Sequence, residues 1–546
     1  MARAAVGTDV ALEESVAVVA ALLDKWHPDN GSLSLFLGCP DGGGAEAGRF
    51  LCAAADLHRA MLLLATDVAD LQGRGEWLVR AHELLEAAMR RLQLELELLL
   101  SELRYNAVDG AIAGHGVQDA AVVGHIRVVA KAMMAAGYGM ECVSTFKSHR
   151  RAELAGAVHR LLGFSPSQHS RFHKLTWDQV DGKVQSWHAA AGFAFTSAFS
   201  NERLFCHSVF AADAAVADKL FADIASDHAA ELLAVAEAAV ARAGRAPERL
   251  FHVLDVHGTL AEILPATVSV IGDNSEVITR ATDAIRNVGE AARGTLASFE
   301  ETILKATSKA AAPGGAVHPL TRYVMNYLVL LADYEDTLAR IYQQCRGANA
   351  SGYGSASPDS PSALNPIDRL VSVLLRKLNA MAGRYQSPAL RSLFMANNTH
   401  YVGKKVRGSS KLDGMLGEDW TRAQRAEVRR HVDACVHSAW QDVLAGGGEG
   451  AEASVREAVA TQQRWVAADD EMGDALRAAA AGAVVPAYRA LYRLHGAAAW
   501  LTPGDVNAMI GRLYAGPRNA ASGGSRPPAG VRRRDAMACL SPLSTK

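Results

Sequence analysis

Segment after segment of this chain repeats its apolar residues every three or four positions, and none reads convincingly as a strand, which confines the fold to packed helices. The hardest test is residues 84–104, LLEAAMRRLQLELELLLSELR, where the alternation Leu94-Glu95-Leu96-Glu97-Leu98 taken alone would be a half-buried strand. The longer frame overrules it. Leu85, Met89, Leu92, Leu96, Leu99 and Leu103 line up at spacings of four and three through strong helix formers, with no turn residue between them. A long helix is predicted, its seam spaced as in a coiled coil and its candidate partner the apolar segment 50–71. Such a seam serves either a bundle core or a dedicated partner-binding helix.

Short breaks separate the helical segments, near 106–118, 163–167, 244–247, 272–274, 311–316, 346–366, 446–451 and 502–503. Two of them carry start signals: Ser165 as N-cap with Pro166 at the first helical position, and Thr502 with Pro503 in the same roles. The Gly/Ser/Pro-rich stretch RGANASGYGSASPDSPSALNP, 346–366, reads as a mobile loop, and the aperiodic chain from 516 onward as a disordered tail. The expected organisation is all-α: an N-terminal helix and loop over 1–48, an N-terminal bundle with long helices over 49–165, a middle bundle over 166–310, a third over 311–445, a C-terminal bundle over 446–515 and a basic tail over 516–546.

Aromatic residues at 6% favour helices over sheets, and 49% hydrophobic with 21% charged residues is an ordinary globular balance. Seven cysteines are scattered without a CxxC pair, as expected in a reducing compartment. Asp9, Glu13 and Glu14 interrupt the apolar run a signal peptide would need, and no stretch approaches 18 consecutive apolar residues. The expectation is a cytoplasmic protein that meets a membrane only from its surface.

The net charge of −2 gives no global reason to bind nucleic acid. Locally the balance differs: residues 376–430 hold twelve Lys or Arg against four Asp or Glu, a net of +8. Inside this region LRSLFMANNTHYVGKKVRGS, 390–409, puts Asn397 or Asn398 on the same helical stripe as Leu390, Leu393, Phe394, Tyr401, Val402 and Val406. An unpaired buried amide costs roughly 1–3 kcal/mol, so such an Asn should bond a neighbouring helix or a capping backbone group. Lys404, Lys405, Arg407 and Lys411 then emerge at the surface. They belong either to a solvated helix face or to a site for an anionic partner such as a membrane headgroup.

Signs of catalysis are lacking: no GxxxxGK[ST], GxSxG or HExxH occurs, nor a GxGxxG after a strand. His169 and His173, like His431 and Cys435, stand four apart and could share a helix face, but neither pair has an evident third and fourth zinc ligand, so no metal or cofactor is expected. His400 has no suggestive Ser, Cys or carboxylate near it in the sequence. The acidic ADYEDTL, 332–338, continues a helix from HPLTRYVMNYLVLL whose apolar face is Tyr323, Tyr327, Leu330, Leu331, Tyr334 and Leu338. Asp333 and Asp336 are then expected on the surface or paired with cations.

Several stretches together resemble the plant exocyst seventy-kilodalton subunit family: HPLTRYVMNYLVLLADYEDTL (318–338), LFMANNTHYVGKKV (393–406), LGEDW (416–420) and QQRWVAADDEMGDALRAAAAGAVVPAYRALYRLHG (462–496). GYGMECVSTFKSHRRAEL (137–154) and LFHVLDVHGTLAEILP (250–265) add to it, and the likeness spans roughly 75–515. The resemblance implies an elongated rod of consecutively stacked helical bundles, not an enzyme, in a complex that tethers secretory vesicles at the plasma membrane. Its implied partners are other exocyst subunits, phosphoinositides and Rho-type small GTPases, with lipid contact by Lys404, Lys405, Arg407, Lys411, Arg489, Arg493 and Arg512. Two departures stand out: Ala497 and Trp500 replace residues that are basic in many members, and the added tail carries Arg526 and Arg532 to Arg534. The alternative the family offers is a defence scaffold bound by a pathogen effector or immune receptor, with weak lipid affinity.

Overall fold

The computed structural model describes residues 2–27, 34–37, 44–66, 71–105, 112–113, 119–272, 276–306, 312–350, 365–445, 450–495 and 501–514. Among these the chain is all-α, apart from one antiparallel pairing of two residues, Arg104–Tyr105 (β1) against Ile112–Ala113 (β2). The loop and tail expected over 346–366 and 516–546 lie outside the described residues for the most part, as do Ala497 and Trp500.

The chain divides into two compact units, 1–243 with 255–288 and 244–254 with 289–546, a coarser division than the expected segments, with a boundary inside the 166–310 one. The first unit begins with α1 (Ala2–Lys25), α2 (Gly44–Thr66), α3 (Leu71–Ser101), α4 (Asp119–Ala135) and α5 (Gly139–Leu162). A 3-10 turn, Pro166–Lys174, leads to α6 (Trp177–Gly192), α7 (Phe199–Val209) and α8 (Ala214–Ala243). Helices α9 (Leu250–Ile271) and α10 (Glu276–Lys305) are divided between the units.

The ambiguous Leu/Glu alternation is helical, and all six seam residues from Leu85 to Leu103 are buried. Because α3 packs against α1, α2, α4 and α5, its seam serves the bundle core. The seam does not reveal Glu95, which lies on the buried side and is fully enclosed. Its carboxylate accepts from the backbone N–H groups of Leu35 (2.8 Å) and Phe36 (3.2 Å) and from Arg91 Nη1 (3.1 Å). A carboxylate with that many donors offsets its desolvation and pins the 34–37 segment to the bundle.

A second buried charge ties α5 to α7. Arg150 and Glu202 are both fully enclosed, with Nη2 2.9 Å from Oε2 and Nε 3.2 Å from Oε1. Tyr105 donates its hydroxyl to the same carboxylate, and the guanidinium lies over the Tyr105 and Phe205 rings at 4.9 and 5.2 Å. Arg150 Nη1 also reaches the Leu103 carbonyl at 3.4 Å, so the end of α3 is tied in as well.

The second unit continues with α11 (Pro319–Leu331), a 3-10 turn Ala332–Tyr334, α12 (Glu335–Ala350), α13 (Pro366–Ala382), α14 (Pro388–Arg407) and α15 (Ser410–Ala439). The short α16 (Gln441–Leu444), α17 (Ala451–Gln462), α18 (Asp470–His495) and α19 (Pro503–Gly511) complete it. The helix expected to run unbroken through 338 is thus interrupted at Ala332–Tyr334, although Tyr327, Leu331, Tyr334 and Leu338 are buried as foreseen. Thr502 caps α19 in a reciprocal box with Asp505, as the TPGD signal implies. Ser165 stands at its N-cap position, but it precedes a 3-10 turn and its hydroxyl bonds Ser167 instead.

Four consecutive polar residues of α14, Asn397 to His400, are buried in this unit. Asn397 donates to the carbonyls of Gly315 (2.7 Å) and Val466 (2.8 Å) and accepts from the Ala468 N–H (2.8 Å). Asn398 accepts from the His318 N–H (2.9 Å) and the Thr321 hydroxyl (2.6 Å) and donates back to Phe394 (2.7 Å). The two loops so gripped also meet each other, Val466 N–H donating to Gly314 O at 2.9 Å. Only glycine fits there: Gly314 has φ +62°, and a Cβ on it would stand 2.6 Å from the Arg464 carbonyl.

These networks make two stability predictions. Asn397→Leu strands two buried carbonyls and an N–H, and should cost at least about 3 kcal/mol in urea unfolding of the full chain. Glu202→Ala leaves the Arg150 guanidinium buried and unpaired, and should cost roughly 3–5 kcal/mol, most of it recovered in the double variant Glu202→Leu/Arg150→Met.

Candidate functional site

Helix α14 begins at Ser387, whose hydroxyl accepts from the Leu390 N–H, runs through the core and emerges with its basic last turn. A cationic last turn complements the helix dipole, so the sequence KKVR favours termination there as well as surface charge. Ser409 then caps α15, which carries Lys411 in its first turn and kinks at Gly417, where φ is +84°.

The positive charges at this corner fare differently. Lys404 Nζ lies 2.6 Å from Asp469 Oδ2, and Lys411 Nζ 2.9 Å from Asp333 Oδ1. Lys405 sits 5.8 Å from the centre of the Tyr401 ring, and half-buried Arg407 lies beside Gly403. Neither Lys405 nor Arg407 has a carboxylate partner among the described residues. The pairing of Asp333 matches the sequence expectation for that residue.

Asp469 is the centre of a small network that the sequence does not announce. It is the N-cap of α18, accepting from the Met472 N–H at 3.0 Å, and His400 Nε2 lies 3.1 Å from both its oxygens. Burial raises its pKa, but the bonds from Lys404, Met472 and His400 outweigh that and hold it below the usual aspartate value. The carboxylate of Glu471 is 3.8 Å from the same imidazole. His400 thus does have a carboxylate arrangement around it, contrary to the reading from local sequence, because its partners lie 69 and 71 residues further on.

Donor atoms of His400, Asp469 and Glu471 fall within 4.8 Å of one another, a spacing a cation can use. The Lys404 ammonium already occupies one Asp469 oxygen and a backbone N–H the other, so the cluster is built as an ion-pair network and a helix cap. The other candidate ligand pairs form no cluster of three donors among the described residues. His169 and His173 lie in a 3-10 turn, where residues four apart do not share a face, and each ring bonds a backbone carbonyl. His431 faces Glu427 at 3.2 Å, and Cys435 is fully buried, where desolvation raises its thiol pKa.

Arg489 and Arg493 are exposed, one turn apart on α18, but they stand twenty or more residues beyond Asp469, about 30 Å along the helix. Arg512 is elsewhere again. Its neighbour Leu513 accepts from Arg477, while Tyr488 bonds Leu501, so α19 runs back towards the start of α18 and carries Arg512 away from Arg489. The structure therefore gathers Lys404, Lys405, Arg407 and Lys411 at one corner and separates Arg489 with Arg493, and Arg512, from it. Arg425 and Arg429, exposed on α15, were not singled out in the sequence; their four-residue spacing was the available signal.

Residues 185–446 match the family model for the C-terminal part of the Exo70 subunit of the exocyst complex. The Arabidopsis thaliana exocyst complex component EXO70B1 is 30% identical over 389 residues, 67% of this chain and 61% of that protein. EXO70B2 of the same plant is 28% identical over 472 residues, covering 78% of this chain and 77% of the relative. Towards EXO70B1 and EXO70C2 the chain spans only about three fifths of their length, 61% and 62%. The crystal structure of the Saccharomyces cerevisiae exocyst component Exo70p shares the fold, with a TM-score of 0.67 at 12% identity over 93% of this chain and 100% of the yeast chain. A matching family model, these relatives and a shared all-α fold place the chain in one family: it belongs to the Exo70 family of exocyst subunits.

Proposed function

We propose that this chain is a non-enzymatic subunit of the exocyst that helps tether secretory vesicles, working in the cytoplasm and peripherally at the cytosolic face of the plasma membrane. Its partners in this reading are other exocyst subunits, anionic phosphoinositides and a Rho-type small GTPase. The observation that carries the membrane part is the pattern of charge pairing between α13 and α15. Of the basic residues there, Arg376, Lys405, Arg407, Arg425 and Arg429 have no carboxylate partner among the described residues, while Arg422 and Arg430 are neutralised three residues away. Each unneutralised cation near an anionic surface is worth about 1 kcal/mol, so a handful holds a protein that other subunits also position.

A specific feature favours the second reading, an interaction scaffold. A groove of about 800 Å³ runs between α3 and α5, lined by Leu94, Leu98, Ser144 and His149 among others, with Leu94 46% exposed. A peptide from an effector or immune receptor would find both apolar and polar contacts in it.

Co-sedimentation with liposomes containing phosphatidylinositol bisphosphate separates these readings. Full-chain binding should weaken with salt and drop at least about tenfold in Lys405→Glu/Arg425→Glu. Removing residues 515–546 should leave the salt-sensitive binding in place. Binding that ignores the double reversal and vanishes with the tail would move the contact off the folded face. No binding by any form would leave the scaffold reading.

A further inference from the structure

A cavity of about 170 Å³ opens between the start of α14, the end of α15, α16 and α17. Its lining includes two buried donors that bond to nothing, the indole N–H of Trp440 and the Nε2 amide of Gln462, each on a residue only 1% exposed. Gln462 is held by its other end, where Tyr514 donates its hydroxyl to Oε1, so the amide nitrogen is left without a partner. Trp440 can only donate, and buried donors are normally answered, so the cavity suits a ligand that brings acceptors. Its charged lining is of one sign. Asp442 and Glu457 are both exposed, neither has a cation partner among the described residues, and no Lys or Arg lines the cavity among them.

Two carboxylates repel a free anion, whatever the donors beside them offer. A peptide segment carrying arginine meets both demands: its planar guanidinium forks onto the carboxylates, and its backbone carbonyls accept from the indole and the amide. We propose that this cavity holds the chain's own segment 515–519, AGPRN, with Arg518 between Asp442 and Glu457.

The point of exit favours that occupant. The described residues end at Tyr514, whose hydroxyl already sits on a lining residue, so the segment leaves the fold beside the cavity. Tyr514 is itself anchored: it is buried and holds φ +59°, which a bulky side chain adopts only where its surroundings impose it. Arg518 is four residues further on, a tether of at most about 14 Å when fully extended. Pro517, fixed in φ, lowers the entropy lost on docking so short a segment. Arg526 and Arg532 to Arg534 stand eight or more residues beyond Arg518, where a longer tether gives a lower effective concentration at the cavity. Space agrees: at about 30 Å³ of liquid volume per water the cavity holds roughly six waters, room for one long side chain and not for a helix. Seated there, the segment excludes any other basic peptide.

Limited trypsin digestion of the full chain, followed by mass spectrometry, tests the contact, because Arg518 is itself a cleavage site. Cleavage after Arg518 should be at least about tenfold slower than in the free peptide 515–546, while cleavage after Arg532 to Arg534 keeps the peptide's rate. Asp442→Asn/Glu457→Gln, on two exposed residues, should return Arg518 to the free rate with no change in melting temperature. High salt should speed the same cleavage in the unaltered chain, with no substitution at all. Equal rates in chain and peptide overturn the proposal and leave the two donors to water. Protection that ignores both salt and the double variant overturns it too, since it then comes from nearness to the fold. Protection that grows with protein concentration overturns the intramolecular contact and assigns the cavity to the same segment of a second copy.

Discussion

Asn397 and Asn398 are the constraint on which the second unit depends. Their amides satisfy backbone groups in two loops, 315–318 and 466–468, that no helix ladder could reach. Without them those loops would bury unpaired carbonyls and N–H groups at roughly 1–3 kcal/mol each. The clamp also decides where α18 starts, since the gripped loop ends at Asp469, and that cap in turn receives His400 and Lys404. One pair of asparagines thereby sets the position of the basic corner.

The first unit solves the same problem with charge. Helices so rich in alanine offer shallow, similar ridges and could slide past one another at little cost, so register needs something directional. Arg150 with Glu202, and Glu95 with its backbone donors, provide it. Each is a buried ion whose desolvation is offset only in one alignment of the helices.

Electrostatics at the surface are likewise decided by pairing, not by composition. A net of +8 over 376–430 says little until each cation is assigned. Lys404 and Lys411 cap and staple; Lys405, Arg407, Arg425 and Arg429 keep their charge available. The division leaves the field of this corner to arginines on α15 and two residues at the end of α14, and local sequence could not have ranked them.

What the sequence by itself determined is whatever depends on near neighbours. The 3-4 seam of α3, the Thr502 cap, the breaks between helices and the need for Asn397 to find a partner all follow from periodicity, capping chemistry and the cost of an unpaired amide. Family membership was legible too, because it rests on ordered motifs. Glu95 was not, since Ser34 to Phe36 lie about sixty residues away, and neither were the partners of His400 or the gathering of Arg407, Arg425 and Arg429. Those arrangements come only from packing, where helices distant in sequence are brought within hydrogen-bond reach. Tertiary structure alone decided them because pairing energy depends on separation in space, and the chain order does not specify it.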